Sequence, residues 1–293
     1  MGPFSWRDFK SKLKRISPFK ELWQVRRMVE EQRNLYQLEV SRHVAELLSQ
    51  ARYADPKKLS RHEAQVFSQG GEDGIVSEIF RRIGTTDRVF VEIGTGDTLE
   101  NNTIYRLALG WSGFWIDGGD DAAWMARRHF AGPLQEGRLK FTRALVTAEN
   151  APDLLRSMDV PKEFDLLSLD IDRNTYWVWA ALGQYKPRAV IMEYNPLWPP
   201  EVDWKVPYDP NLPWNETAYF GASLKAMELL GQKLGYVLVG CSLSGVNAFF
   251  VRADVAGNKF CAPFSSENHY EPPRYYLLHR PGHPRCFDEN GST

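Results

Sequence analysis

Apolar residues recur along this chain with two different periods, and the change between them divides it. In "WRDFKSKLKRI" Trp6, Phe9, Leu13 and Ile16 fall three to four residues apart while Arg7, Lys10, Lys12, Lys14 and Arg15 fill the intervals, which predicts a basic amphipathic helix. After a break at Ser17-Pro18 the helical period resumes through Val25, Met28, Val29, Leu35, Tyr36, Val40, Val44 and Leu47. Residues 1–60 are therefore read as a helical extension. From residue 61 onward helical and extended runs alternate. "GEDGIVSEIFRRIG" predicts a helix with Ile75, Val76, Ile79, Phe80 and Ile83 on one face and Gly84 as its stop. Strands are predicted in "RVFVEIG", "SGFWIDG", "LKFTRALV", "FDLLSLDID" and "RAVIMEYN", with helical segments such as "APDLLRSM" and "YWVWAAL" between them. Alternation at this spacing specifies an α/β domain, a mostly parallel sheet with helices on both faces. After the helix "ASLKAMELLGQKLG", the strands "YVLVGC" and "NAFFVR" are joined by only a short "SLSG" turn. A parallel crossover needs a dozen or more residues, so the last strand must be antiparallel.

Composition narrows the classes. With 36 Lys and Arg against 37 Asp and Glu, the net charge of -1 gives no whole-protein footprint for nucleic acid. Cys241, Cys261 and Cys286 are odd in number, far apart and without metal-ligand spacing, which fits a reducing compartment with neither a disulfide framework nor zinc. No apolar run approaches the roughly 20 residues of a membrane span, and no signal-peptide core is evident. The expected location is the cytoplasm. The basic stripe of residues 4–20 reads first as an accessory helix; weak peripheral contact with a membrane, or pairing of two copies through the N-terminal helices, are its alternatives.

Ligands in parallel α/β sheets sit at the carboxyl ends of the strands. Glu92, Asp117, Asp170, Asp172, Glu193 and Asn195 all fall there, a row of acids and amides that suggests a polar cleft. The first strand also runs into Gly94-x-Gly96, bare backbone of the kind that approaches a small molecule closely.

With the antiparallel final strand in view, residues 65 to 253 resemble the class I S-adenosylmethionine-dependent methyltransferases, and more narrowly the FkbM-like branch that O-methylates sugars. The resemblance implies a Rossmann-like seven-stranded sheet with an antiparallel last strand. The N-terminal helices and the tail from Asn258 lie outside the resemblance, and the chain is read as a helical extension over 1–60 followed by a methyltransferase domain with its C-terminal tail over 61–293. It implies that Glu92, Gly94, Gly96 and Asp117 bind S-adenosylmethionine, with Asp117 taking both ribose hydroxyls. A carboxylate suits a diol because it accepts two charge-assisted hydrogen bonds at once. Gln69 and Glu72 in "SQGGEDG" stand where this family covers the cofactor, although helix capping also accounts for that segment. Thr147 in "VTAEN" stands where it contacts the adenine. A dinucleotide is the competing ligand, but its third glycine would fall at Leu99 and Asp97 would face the pyrophosphate.

The acceptor side is read from "LDIDRNTYW" and "EYNPLWPP". Asp170, Asp172 and Glu193 are the candidate catalytic carboxylates, any one of which could take the acceptor's proton. Together with Asn195 they also form an oxygen-only set suited to Mg2+ or another divalent cation. The resemblance to macrocin-type enzymes implies such a metal, whereas Glu193-Tyr194-Asn195 departs from their paired aspartates, so a base without metal stays open beside it. The long loop after Asn195 carries Trp198, Trp204, Tyr208, Trp214 and Tyr219, faces suited to a sugar ring or to loop packing. The tail with His269 and His283 is a candidate lid and a lesser source of a base. The expected activity is methyl transfer to a hydroxyl of a sugar in a polysaccharide, glycolipid or glycosylated product. A non-catalytic scaffold of a polysaccharide assembly system is the alternative.

Overall fold

The computed structural model of the chain describes residues 19–278 and 285–287. The predicted basic helix over residues 6–16, and His283, lie outside the described residues. The chain forms two compact units, Met1–Gln50 and Ala51–Thr293. The first contains the helix α1 (Phe19–Ser49), whose ion pairs Arg26–Glu30 and Arg27–Glu31 join positions four apart on one face. Its Leu22, Val25 and Met28 are exposed. No helix among the described residues is long and apolar enough to cross a membrane. Residues 51–60, which periodicity groups with the extension, belong to the second unit: the Tyr53 hydroxyl donates to Glu271 at 2.7 Å, and Leu59 is buried in its core.

That unit is a seven-stranded sheet in the order β3-β2-β1-β4-β5-β7-β6. The strands are β1 (Val89–Ile93), β2 (Ser112–Asp117), β3 (Leu139–Arg143), β4 (Glu163–Leu169), β5 (Lys186–Glu193), β6 (Tyr236–Cys241) and β7 (Asn247–Arg252). All neighbouring pairs are parallel except those of β7, which runs against both β5 and β6. This is a Rossmann-like arrangement with the antiparallel last strand that the short turn predicts. Alternation along the strands sends Val91, Leu167 and Val190 to one face, where α6 (Ala151–Ser157), α7 (Thr175–Ala181) and α8 (Leu224–Leu234) supply Leu155, Trp179 and Leu230. Phe90, Leu166 and Ile191 point to the other face. There α2 (Glu72–Ile83), α3 (Ile104–Ala108), α4 (Asp120–His129) and α5 (Ala131–Gln135) are the available helices, contributing among others Ile79, Leu107 and Ala126. Because both faces are covered, the central strands read as nearly continuous apolar runs.

The strand order reverses at β1 and β4. From β1 the chain winds one way to β2 and β3, then returns to β4 and winds the other way, which leaves a crevice beyond the carboxyl ends of those two strands. Gly94 makes the crevice possible. It adopts φ 84, and a Cβ built on it would lie 1.6 Å from the Asp170 carbonyl oxygen, so only a residue without a side chain lets the loops after β1 and β4 touch. Gly94→Ala should therefore destabilise the domain by about 2–4 kcal/mol, combining backbone strain with a steric clash, and thermal unfolding should show a correspondingly lower midpoint. A wild-type midpoint in the variant would show that the two loops can separate freely.

Candidate active site

The loop after β1 is held from β2. The Asp117 Oδ2 atom accepts from the backbone N–H of Thr95 at 2.6 Å and of Gly96 at 2.9 Å, while Oδ1 accepts from Gly119 at 2.7 Å. The carboxylate thus orders the glycine turn before any ligand arrives, and Asp117 itself lines the cavity. Glu92 has another job. It is buried, and its two oxygens accept from Asn101, Asn102 and both the backbone and hydroxyl of Thr103, which folds residues 101–103 back on β1. Burial raises its pKa despite these donors.

The remaining residues assigned to the cofactor stand at different depths. Gly94, Gly96 and Asp117 line a cavity of about 630 Å³. Glu72 is buried beneath its own loop, accepting from the Gly70 N–H and from the Asn247 side chain on β7. Gln69 is exposed and its carbonyl accepts from Gln65. Thr147 and Asn150 close a small turn on each other, Thr147 N–H donating to Asn150 Oδ1 and Asn150 N–H to Thr147 Oγ1. Neither Thr147 nor Glu92, Gln69 or Glu72 is among the described residues lining the cavity. Its apolar side comes from Ile116, Leu145 and Val146 instead, and Leu145 stands 71% exposed at its edge. Arg173 also lines it, the one Lys, Arg or His among the described lining residues, with a buried Nε that has no hydrogen-bond partner among the described residues. These residues escape sequence reasoning because an apolar strand end and an arginine after an acidic pair look like any core edge or surface charge until the loops are folded.

The acids after β4 and β5 converge. Asp170, Asp172 and Glu193 each offer an oxygen, all within 4.8 Å of one another. Asp172 holds φ 53, a left-handed backbone that is uncommon outside glycine. Desolvation followed by the charge of Asp172 pushes the Asp170 pKa up to about 7. Burial, then the charges of Asp170 and Asp172, raise Glu193 well above the usual carboxylate range, and burial raises Asp172. Asn195, grouped with these acids by sequence, is committed elsewhere. Its amide nitrogen donates to the Ala218 and Phe220 carbonyls and its oxygen accepts from the Leu197 N–H, which pins both ends of the long loop.

That loop builds a second cavity of about 410 Å³, lined by Glu193, Leu197, Phe220 and Tyr275 among others. The two cavities share Asp172 and Trp214. Most of the loop aromatics pack on one another: Trp198 stacks on Trp204 at 4.6 Å and Trp204 meets Tyr219 edge-on at 5.5 Å. Tyr208 clasps the loop to the segment after β3, donating to Glu149 and accepting from the Ala148 N–H. Trp214 alone of these five reaches both cavities. The tail lies across the β6–β7 turn, where a Cβ on Gly245 would come within 2.5 Å of the Pro272 carbonyl, and it delivers Tyr275 to the smaller cavity. His269 is buried against the Cys261 carbonyl, burial lowers its pKa to about 3, and it lines neither cavity.

No protein-family model matches this chain, and no curated protein does. Among solved structures it is similar to magnesium protoporphyrin IX methyltransferase from Synechocystis PCC 6803 with bound SAH, at 13% identity and a TM-score of 0.41 over 62% of this chain and 81% of that one. An O-methyltransferase family protein from Burkholderia thailandensis matches at 11% identity and a TM-score of 0.36, over 62% of this chain and 57% of that one. An O-methyltransferase from Bacillus cereus in complex with SAH matches at 18% and 0.32, over 55% and 66%. In these last two the chain spans less than two thirds of the neighbour's length. Superpositions this loose assign no residue a role.

The carboxylate cluster has a pH signature. An unfolded aspartate titrates near 3.9, roughly, whereas folded Asp170 is raised to about 7. Between these values the folded chain keeps a proton that the unfolded chain releases. The group's favourable contribution is therefore full below about pH 4 and is lost as pH rises through 7. In EDTA, Asp170→Asn should gain stability relative to the wild type from about pH 4 to 7.5, read as the difference between their unfolding midpoints. A difference that stays flat across this range would show that Asp170 is not strained by its ionisation.

Proposed function

We propose that this chain transfers the methyl group of S-adenosylmethionine to a hydroxyl, with the donor in the larger cavity and a sugar-bearing acceptor in the smaller. The observation that carries the reading is the meeting of two cavities at Asp172, beside two further carboxylates and below Trp214. A two-substrate transfer needs such a seam, because the methyl carbon must pass between donor and acceptor with water kept out. The apolar edge at Leu145 and Val146 suits the adenine, Asp117 the ribose hydroxyls, and Arg173 the carboxylate of the methionine moiety.

The chemistry follows from the donor's positive sulfonium. The acceptor oxygen attacks the methyl carbon in line, the carbon–sulfur bond breaks, its electron pair stays on sulfur, and the hydroxyl proton passes to a carboxylate. Asp172, shared by both cavities, is the group placed to take it, and a carboxylate whose pKa is raised holds a proton better than an ordinary one. The same three residues fit a divalent cation: their donors are all oxygen, lie within 4.8 Å, and include the buried Glu193 Oε2, which lacks a partner. Held there, such an ion would acidify the acceptor's hydroxyl. In either case Asp170 and Glu193 orient Asp172 and the incoming oxygen. Loop aromatics around the smaller cavity support a ring-shaped acceptor such as a sugar.

Calorimetry with S-adenosylmethionine and its demethylated product should give binding, weakened in Asp117→Ala by about 1.5–3 kcal/mol, the scale of hydrogen bonds to a charged group. Absence of binding by the wild type removes the donor assignment. Asp172→Asn should lose methyl transfer by about 100-fold or more while donor affinity changes little, measured with labelled donor and sugar acceptors. Loss of activity in EDTA that returns with Mg2+ selects the cation, and indifference to EDTA selects the carboxylate acting alone. Donor binding without product from any sugar would favour the scaffold.

A further inference from the structure

The smaller cavity has a charge as well as a shape. Its wall carries the carboxylates of Asp172, Glu193 and Glu216 and the rings of Trp214, Phe220 and Tyr275, and no Lys, Arg or His is among the described residues that line it. Glu193 is half-buried, and its buried Oε2 has no hydrogen-bond partner among the described residues. A buried acceptor without a donor is rare in folded proteins and is commonly completed by a ligand or ion. Glu216 stands at the open side of the cavity on a backbone of φ 61, a left-handed position that a glutamate occupies only when the surrounding loop imposes it.

An anionic acceptor would meet like charge in a partly desolvated space, where Coulomb interactions are several times stronger than in water. A neutral ring would gain the aromatic faces and nothing from the charge of Glu216. A cation gains both, since ammonium groups are attracted to the faces of aromatic rings as well as to carboxylates. A divalent ion at Asp170, Asp172 and Glu193 would offset the charge of those three acids and leave Glu216, outside that cluster, as the group that attracts a cation.

We propose that the acceptor is an amino sugar, a hydroxylated ring whose protonated amine lies among Glu216, Trp214 and Tyr275 while a hydroxyl reaches Asp172 and Glu193. The hydroxyl's role rests on the methyl-transfer reading above; the site for the amine does not. Binding to the full chain saturated with SAH would be measured by calorimetry at about pH 6.5 for methyl glucosaminide, its N-acetyl derivative and methyl glucuronide. The glucosaminide should bind at least about tenfold more tightly than the N-acetyl compound, the glucuronide should not bind detectably, and the advantage should shrink in about 0.5 M salt. In Glu216→Gln, which keeps the side chain's shape, the advantage should fall to within about threefold, and Trp214→Ala should weaken the glucosaminide selectively. Equal or tighter binding of either comparison sugar, a preference unchanged in Glu216→Gln, or no binding of any of the three overturns the proposal. Because these are binding measurements, preferred binding of the glucosaminide without any methyl transfer would count against the reaction and leave the cation site standing.

Discussion

The contact between Gly94 and the Asp170 carbonyl is the constraint on which the rest of this molecule depends. Two strands that start opposite windings of the sheet must end close together for their loops to share one crevice, and a side chain at position 94 would hold them apart. The Asp170 N–H donates to the Ile93 carbonyl at 2.9 Å, which continues the β1–β4 pairing up to the loops themselves. The glycine turn on one side and the acid pair on the other therefore face a common space. Asp117 adds the third support by taking the N–H groups of Thr95 and Gly96.

Closing the loops this tightly has an electrostatic cost. Asp170, Asp172 and Glu193 cannot all ionise freely in a partly desolvated cluster, and their raised pKa values express that mutual strain. Strain of this kind is retained when it serves chemistry, because a carboxyl group that resists ionisation accepts a proton or a cation more readily than a surface acid. The neighbouring acids show the contrast. Asp165 is fully buried, and the N–H groups of Thr86 and Arg88 and the guanidinium of Arg188 surround it, so it serves the fold.

The smaller cavity depends on contacts distant in sequence. Asn195 fastens both ends of the loop that forms one wall, and the tail supplies another. The tail is itself fixed by a buried carboxylate: Glu271 accepts from Tyr53, Arg52 and Arg274, and its carbonyl accepts from the Tyr194 hydroxyl. Tyr275 follows four residues later. The start of the domain, the end of β5 and the tail are thus tied together around one side of the smaller cavity.

The sequence by itself determined the sheet, its antiparallel strand and the row of acids at its carboxyl edge. These follow from local periodicity, from a four-residue turn too short for a crossover, and from glycines whose conformational freedom is intrinsic. It also named Gly94, Gly96, Asp117, Asp170, Asp172 and Glu193, all of which reach one of the two cavities. Tertiary structure alone decided which acids face a cavity and which serve the scaffold. Glu92 and Glu72 occupy promising positions in the pattern, yet each is consumed by N–H, hydroxyl or amide donors brought to it by loops and strands that sequence spacing does not locate. Asn195 is drawn away from its acidic neighbours by carbonyls more than twenty residues downstream. Leu145, Arg173, Trp214 and Tyr275 acquire their positions only when separate loops meet, because a one-dimensional pattern records which residues are apolar or charged but not which of them face the same empty space.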